Sequence, residues 1–164
     1  MSADITVPLL DLKAQYATIR GEIEAALRRV LETQHFILGP EVEALEKEVA
    51  AYCRVPCAIG CASGSDALLL ALMALEVKPG DEVICPSYTF FATAGAIWRL
   101  GAVPVFVDID PATYNLDVRQ VRQAAARCAR NRLKAVIPVH LFGRCADMEA
   151  LEALSCELNV PIVE

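Results

Sequence analysis

The stretch Ile59-Gly60-Cys61-Ala62-Ser63-Gly64-Ser65-Asp66-Ala67-Leu68 holds the residues best suited to chemistry. A strand-like run passes through a turn of small residues into an apolar helical run. Such a junction leaves main-chain N–H groups unpaired at a helix start and lets an anion approach without Cβ atoms in the way. A phosphate at Gly64, Ser65 and Asp66 is one reading; Ser63 or Ser65 acting only as the helix N-cap is the other. A second segment, Cys85-Pro86-Ser87-Tyr88-Thr89-Phe90-Phe91, falls where the next strand gives way to its helix. There Tyr88 or Phe90 could lie against a flat ring, although adjacent phenylalanines more often serve core packing, and one of the two could do each job. A third, Val136-Ile137-Pro138-Val139-His140, puts an imidazole at another strand end. His140 could meet a substrate, or could be a structural histidine bonded to backbone.

Neither Gly-x-x-x-x-Gly-Lys-Ser/Thr nor Gly-x-Gly-x-x-Gly is present, so a nucleoside triphosphatase and a dinucleotide site are not indicated. Seven cysteines invite a metal reading. Cys53, Cys57 and Cys61 recur every four residues, but they run from a helix end into a strand and should not converge. The expected role of the thiols is buried apolar packing, and no metal site is expected.

The elements that position these residues follow from periodicity. Leu12, Tyr16, Ile19, Ile23, Leu27 and Val30 step by three or four, which predicts a helix to about Leu31. Gly39-Pro40 breaks it, and Val42, Leu45, Val49 and Tyr52 begin another, with Pro40 at its first position and Glu41 and Glu43 near its positive end. This gives an N-terminal helical segment, 1–55. From 56 to 164 short apolar runs alternate with helical stretches. Strands are expected at Cys57–Cys61, Glu82–Cys85, Val103–Val107, Ala135–Val139 and Pro161–Val163. Helices are expected at Asp66–Leu75, Phe90–Leu100, Asp117–Ala129 and Asp147–Leu158. The pattern is that of an α/β domain, three layers α/β/α around a mostly parallel sheet.

The 164 residues allow one domain with a real core. A hydrophobic fraction of 55% fits a heavily buried sheet, and the longest apolar run, Ala67 to Leu75, is about half a membrane span of roughly 20 residues. Met1-Ser2-Ala3-Asp4 has no leader pattern, so the cytoplasm is expected. A net charge of −6 and a pI near 5.0 argue against nucleic acid or an anionic membrane as partner. The basic cluster Arg119, Arg122, Arg127, Arg130, Arg132 and Lys134 reads as a solvated helix face.

Taken in order, these segments resemble the DegT/DnrJ/EryC1/StrS family of pyridoxal-phosphate-dependent sugar aminotransferases. The likeness runs from Pro8-Leu9-Leu10-Asp11-Leu12 through Phe36-Ile37-Leu38-Gly39-Pro40, Ser63-Gly64-Ser65-Asp66, Pro79-Gly80-Asp81-Glu82-Val83 and Pro86-Ser87-Tyr88-Thr89-Phe90. It continues through Pro104-Val105-Phe106-Val107-Asp108 to Pro138-Val139-His140-Leu141-Phe142-Gly143 and Asp147-Met148. The resemblance implies the large domain of a fold-type I transferase, a homodimer, and transfer of an amino group from glutamate to a keto sugar carried on a nucleotide. It implies that Gly64, Ser65 and Asp66 hold the cofactor phosphate through backbone N–H groups and the Ser65 hydroxyl. It also implies that Phe90 stacks on the pyridine ring; from their places at strand ends, Tyr88 and His140 are the candidates for the substrate side.

Ser65 stands where the family often has threonine, and Gly95 where it often has asparagine. The chemistry needs a Schiff-base lysine and an acid beside the pyridine nitrogen. The family places that acid just after the strand ending at Val163, and Lys13 and Lys134 lie in no matching context. No catalytic residue is therefore assigned. The expectation is an incomplete domain, inactive as given. A sugar dehydratase of the same fold and a non-catalytic binding module are the alternatives.

Overall fold

A computed structural model describes residue 7, residues 9–129 and residues 131–164. Pro8, Arg130 and the Met1–Asp4 stretch, each used in the sequence reading, lie outside the described residues. The chain divides into two units, Met1–Gly60 and Cys61–Glu164.

In the first unit, helix α1 spans Leu12–Thr33 and α2 spans Pro40–Cys53. The Asp11 carboxylate caps α1 by accepting the Ala14 N–H at 2.9 Å. Gln34 ends the helix in the left-handed conformation with its N–H on the Val30 carbonyl. Pro40 opens α2 as expected, followed by Glu41 and Glu43 in the first turn. Glycine is required at position 39, because a Cβ there would lie 2.6 Å from the His35 carbonyl oxygen. The strand expected at Cys57–Cys61 does not form. No strand among the described residues pairs with it, and an extended run without a neighbour cannot satisfy its ladder. Gly60 instead donates its N–H to Glu46 Oε1 at 2.7 Å, and Ile59 is exposed.

The second unit holds α3 (Gly64–Ala74), β1 (Glu82–Pro86), α4 (Ala92–Arg99), β2 (Val103–Val107), α5 (Val118–Ala125), β3 (Leu133–Val136) and α6 (Met148–Leu158). The sheet has the order β2-β1-β3, and both pairings are parallel. Alternation along β1 assigns the layers. Val83 and Cys85 pack with Leu72, Ala96 and Ile97 of α3 and α4. Ile84 packs with Val121, Leu151 and Leu154 of α5 and α6. The result is three layers with a core on each side of the sheet. Ile84 and Ile97 are fully buried, each worth about 1.5–3 kcal/mol of apolar transfer.

Two strand boundaries differ from expectation. β3 stops at Val136, three residues short of Val139. Ile137 still donates to the Ile84 carbonyl at 2.8 Å, but Pro138 has no N–H to continue the ladder. The segment expected as a strand at Pro161–Val163 makes a single parallel bridge, Val136 to Ile162. Within the basic cluster Arg119, Arg122 and Arg132 are exposed and paired, with Asp117, with Glu157 and with Asp81 (3.7 Å) respectively, Arg127 is exposed, and Lys134 is half-buried in β3. No helix among the described residues is long and apolar enough to cross a membrane.

Candidate functional site

Because β1, β2 and β3 are parallel, their carboxyl ends open on one edge of the sheet. Ser87 to Phe90 follow β1, Asp108 follows β2, and His140 follows β3. That edge is where open α/β sheets hold ligands.

At the head of α3, Ser63 is extended (φ −163, ψ 164) and is the N-cap. Its hydroxyl accepts the Asp66 N–H at 3.1 Å and donates to Asp66 Oδ2 at 3.1 Å. Asp66 Oδ1 also lies 3.6 Å from Arg99 on the last turn of α4. The expected phosphate role of the Asp66 N–H meets a competing partner here. That amide is occupied by the cap, because a serine N-cap reaches the third helical N–H. The Asp66 carboxylate is drawn toward a hydroxyl and a guanidinium. The amides of Gly64 and Ser65 have no acceptor among the described residues. A Cβ built on Gly64 would meet nothing within 4 Å. The turn therefore presents two orphan donors and open space, with Ser65 left over from capping.

Tyr88, Phe90 and Phe91 stand in the loop between β1 and α4. Phe90 is 76% exposed and Phe91 78%, so neither packs in the core, contrary to the packing role considered for them. The cause is the start of α4 at Ala92, two residues later than expected, which makes Thr93, Ala96 and Ile97 the buried face. Thr89 and Thr93 hydroxyls meet at 3.2 Å across the first turn. The Phe91 ring lies over Gly95, where a Cβ would come within 2.9 Å of it. Phe91, Ala94, Gly95, Trp98 and Pro104 together line an apolar cup. The Tyr88 ring meets that of Tyr114 with centroids 6.2 Å apart and planes tilted by 47°.

His140 is held on both ring nitrogens. Nδ1 accepts the Ala146 N–H at 3.0 Å, so the neutral ring carries its proton on Nε2, which is 2.8 Å from Glu164 Oε2. The backbone-bonded and ligand-edge readings of this histidine are thus compatible. Glu164, Arg99 and Asn115, whose amide bridges to the loop after β3, were not singled out from sequence. No spacing signal identifies them, because each partner is far along the chain.

The cysteines are corrected as a group. Cys53, Cys57, Cys61, Cys145 and Cys156 are exposed, Cys128 is half-buried, and only Cys85 is buried. The strand that would have covered Cys57 and Cys61 is not formed, and Cys145 sits in a loop. Burial pushes the Cys85 thiol up to about 12, which keeps it protonated and inert beneath the edge. Cys128 is raised to about 11, first by burial and then by the neighbouring Glu82 carboxylate.

Residues 17–164 match the family model of the DegT/DnrJ/EryC1/StrS aminotransferase family. A "Pleiotropic regulatory protein" of Geobacillus stearothermophilus is 49% identical over 98% of this chain and 42% of its own length. The UDP-2-acetamido-2-deoxy-3-oxo-D-glucuronate aminotransferase of Pseudomonas aeruginosa is 46% identical over 96% of this chain and 43% of its own. The crystal structure of Streptomyces venezuelae DesV, in complex with a ketimine intermediate, superimposes with a TM-score of 0.91 at 46% identity. That match covers 96% of this chain and 42% of the other. The chain thus spans less than half the length of these relatives, and its second unit has the layers of an incomplete fold-type I transferase domain. With the model matching nearly all of it and the fold superimposing at this level, the chain belongs to the DegT/DnrJ/EryC1/StrS aminotransferase family.

Proposed function

We propose that this chain is part of a pyridoxal-phosphate-dependent aminotransferase that moves an amino group from an amino acid, glutamate by preference, to a keto sugar linked to a nucleotide. The names of relatives support the substrate class: the Pseudomonas enzyme acts on a UDP-linked 3-oxo sugar acid, and a Streptomyces venezuelae relative is a dTDP-3-amino-3,4,6-trideoxy-α-D-glucose transaminase. The observation that carries the proposal is the pair of unpaired amides at Gly64 and Ser65, open to an anion.

The residues present fit the cofactor's phosphate. The Gly64 and Ser65 N–H groups and the Ser65 hydroxyl would hold it, aided by the positive end of an 11-residue helix. Asp66 keeps its carboxylate on Ser63 and Arg99, which limits repulsion of the phosphate. Phe90, free of the core, would cover the ring. When bound, the pyridine ring draws electrons from the substrate carbon, which is the chemistry an amino-group transfer needs. Tyr88 and His140 lie toward the substrate, and Glu164 holds the His140 Nε2 proton in place. A cytoplasmic homodimer is part of the same proposal.

Reconstituting the whole protein with pyridoxal phosphate tests it. An absorbance band that borohydride fixes covalently, together with passage of 15N from labelled glutamate to a nucleotide-linked keto sugar, is the expected result. A whole protein that stays colourless with excess cofactor overturns the proposal.

A further inference from the structure

One buried side chain joins the loop after β2 to the loop after β3. Asn115 is 4% exposed, and its Nδ2 donates to the carbonyls of Arg144 (3.0 Å) and Cys145 (2.8 Å). Its Oδ1 has no hydrogen-bond partner among the described residues, so the amide's two donors set its place. Both donors go to consecutive carbonyls, which fixes the peptide that leads directly into Ala146. The Ala146 N–H is the group that reaches His140 Nδ1.

We infer that Asn115 is a positioning residue for His140: by clamping residues 144 and 145 it delivers the Ala146 N–H to Nδ1, leaves the ring proton on Nε2, and aims that proton at Glu164. The chain of contact runs from a buried amide through two carbonyls and one N–H to the imidazole at the ligand edge. Asn115 itself touches neither reacting group. The inference rests on the proposed function for its consequence in catalysis, but its structural content stands apart from it. A side chain that only ties two loops together affects stability wherever it is removed. One that acts through His140 changes which ring nitrogen carries the proton, and its effect disappears when His140 is gone.

The test uses the whole protein with 15N-labelled histidine. In the wild type, the His140 nitrogens are expected to report Nδ1 as acceptor and Nε2 as protonated, with or without cofactor. Asn115→Ala is expected to mix the two tautomers and to lower kcat for amino transfer by about tenfold, the scale of a small displacement of a working group, with KM little changed. His140→Gln is expected to lower kcat by a similar factor, and the double variant to fall no further than His140→Gln alone. Should Asn115→Ala fail to fold, Ala146→Pro removes the same N–H donor without touching Asn115 and is expected to mix the tautomers likewise.

A folded Asn115→Ala or Ala146→Pro protein that keeps the wild-type tautomer overturns the inference, as do losses that simply multiply in the double variant. If the tautomers shift as expected but the wild type transfers no amino group, the proposed function fails while the positioning of His140 by Asn115 is supported.

Discussion

Helices α3 and α5 both begin with a polar cap, and they use it in opposite ways. At α5, the Asp117 carboxylate accepts the Arg119 N–H at 2.9 Å and pairs with the Arg119 guanidinium at 3.1 Å. The helix thus supplies its own anion. At α3 a neutral hydroxyl caps, the nearby carboxylate is held by Ser63 and Arg99, and the Gly64 and Ser65 amides stay unpaired. A helix start closed by its own carboxylate has no vacancy for a ligand phosphate; one closed by a hydroxyl does. The sequences Asp117-Val118-Arg119 and Ser63-Gly64-Ser65 differ chiefly in cap charge and in side-chain bulk behind the cap.

The sharpest way to break this contrast is to make α3 resemble α5. Ser65→Asp puts a carboxylate in the open turn, and two like charges about 4 Å apart at an effective dielectric of about 20 repel by about 4 kcal/mol. Pyridoxal phosphate binding, followed by absorbance titration of the whole protein, is expected to weaken by more than about a hundredfold, with secondary structure unchanged by circular dichroism.

Phe90→Ala separates ring contact from phosphate contact. Removing an aromatic contact costs about 0.5–1.5 kcal/mol, so the same titration should weaken by about tenfold or less. Because Phe90 is 76% exposed, unfolding by urea should move little. A large loss of stability would instead assign the ring to the fold.

The converse experiment acts on α5. Asp117→Ala should destabilise by about 1 kcal/mol, measured by urea unfolding, while cofactor binding stays as in the wild type. The dependence on pH has a definite sign. The Arg119 side-chain hydrogen bond holds the Asp117 carboxyl below its ordinary value of 3.8. Its contribution is therefore complete above pH 3.8 and is lost as pH falls through the lower folded-state value. The gap in stability between wild type and Asp117→Ala should narrow in acid and not at neutral pH.

The smallest effect concerns the thiols. Iodoacetamide at pH 8 should modify Cys53, Cys57, Cys61, Cys145 and Cys156 in the folded protein, while Cys85 and Cys128 react only after denaturation. Intact-mass and peptide analysis reads this directly. Modification of Cys85 without unfolding would contradict its burial.

Periodicity and turn chemistry alone carried the helices of both units, the parallel α/β layering and the open turn at Ser63-Gly64-Ser65. These are local properties: a residue's period, a proline's missing N–H and a serine's reach to the third helical amide all act within a few residues. Which serine takes the cap was left open by the sequence, and the structure gives it to Ser63, leaving Ser65 over. Tertiary structure decided what depends on a distant partner. Cys57–Cys61 is extended by pattern but is a strand only where a neighbour pairs with it, and none does among the described residues. Phe90 and Phe91 read as core more readily than as ligand contacts, and the start of α4 at Ala92 turned them outward. The tautomer of His140, the pairing of Asp66 with Arg99 and the clamp by Asn115 each join groups 6 to 33 residues apart. Contacts over such separations exist only after the strands, helices and loops have packed together.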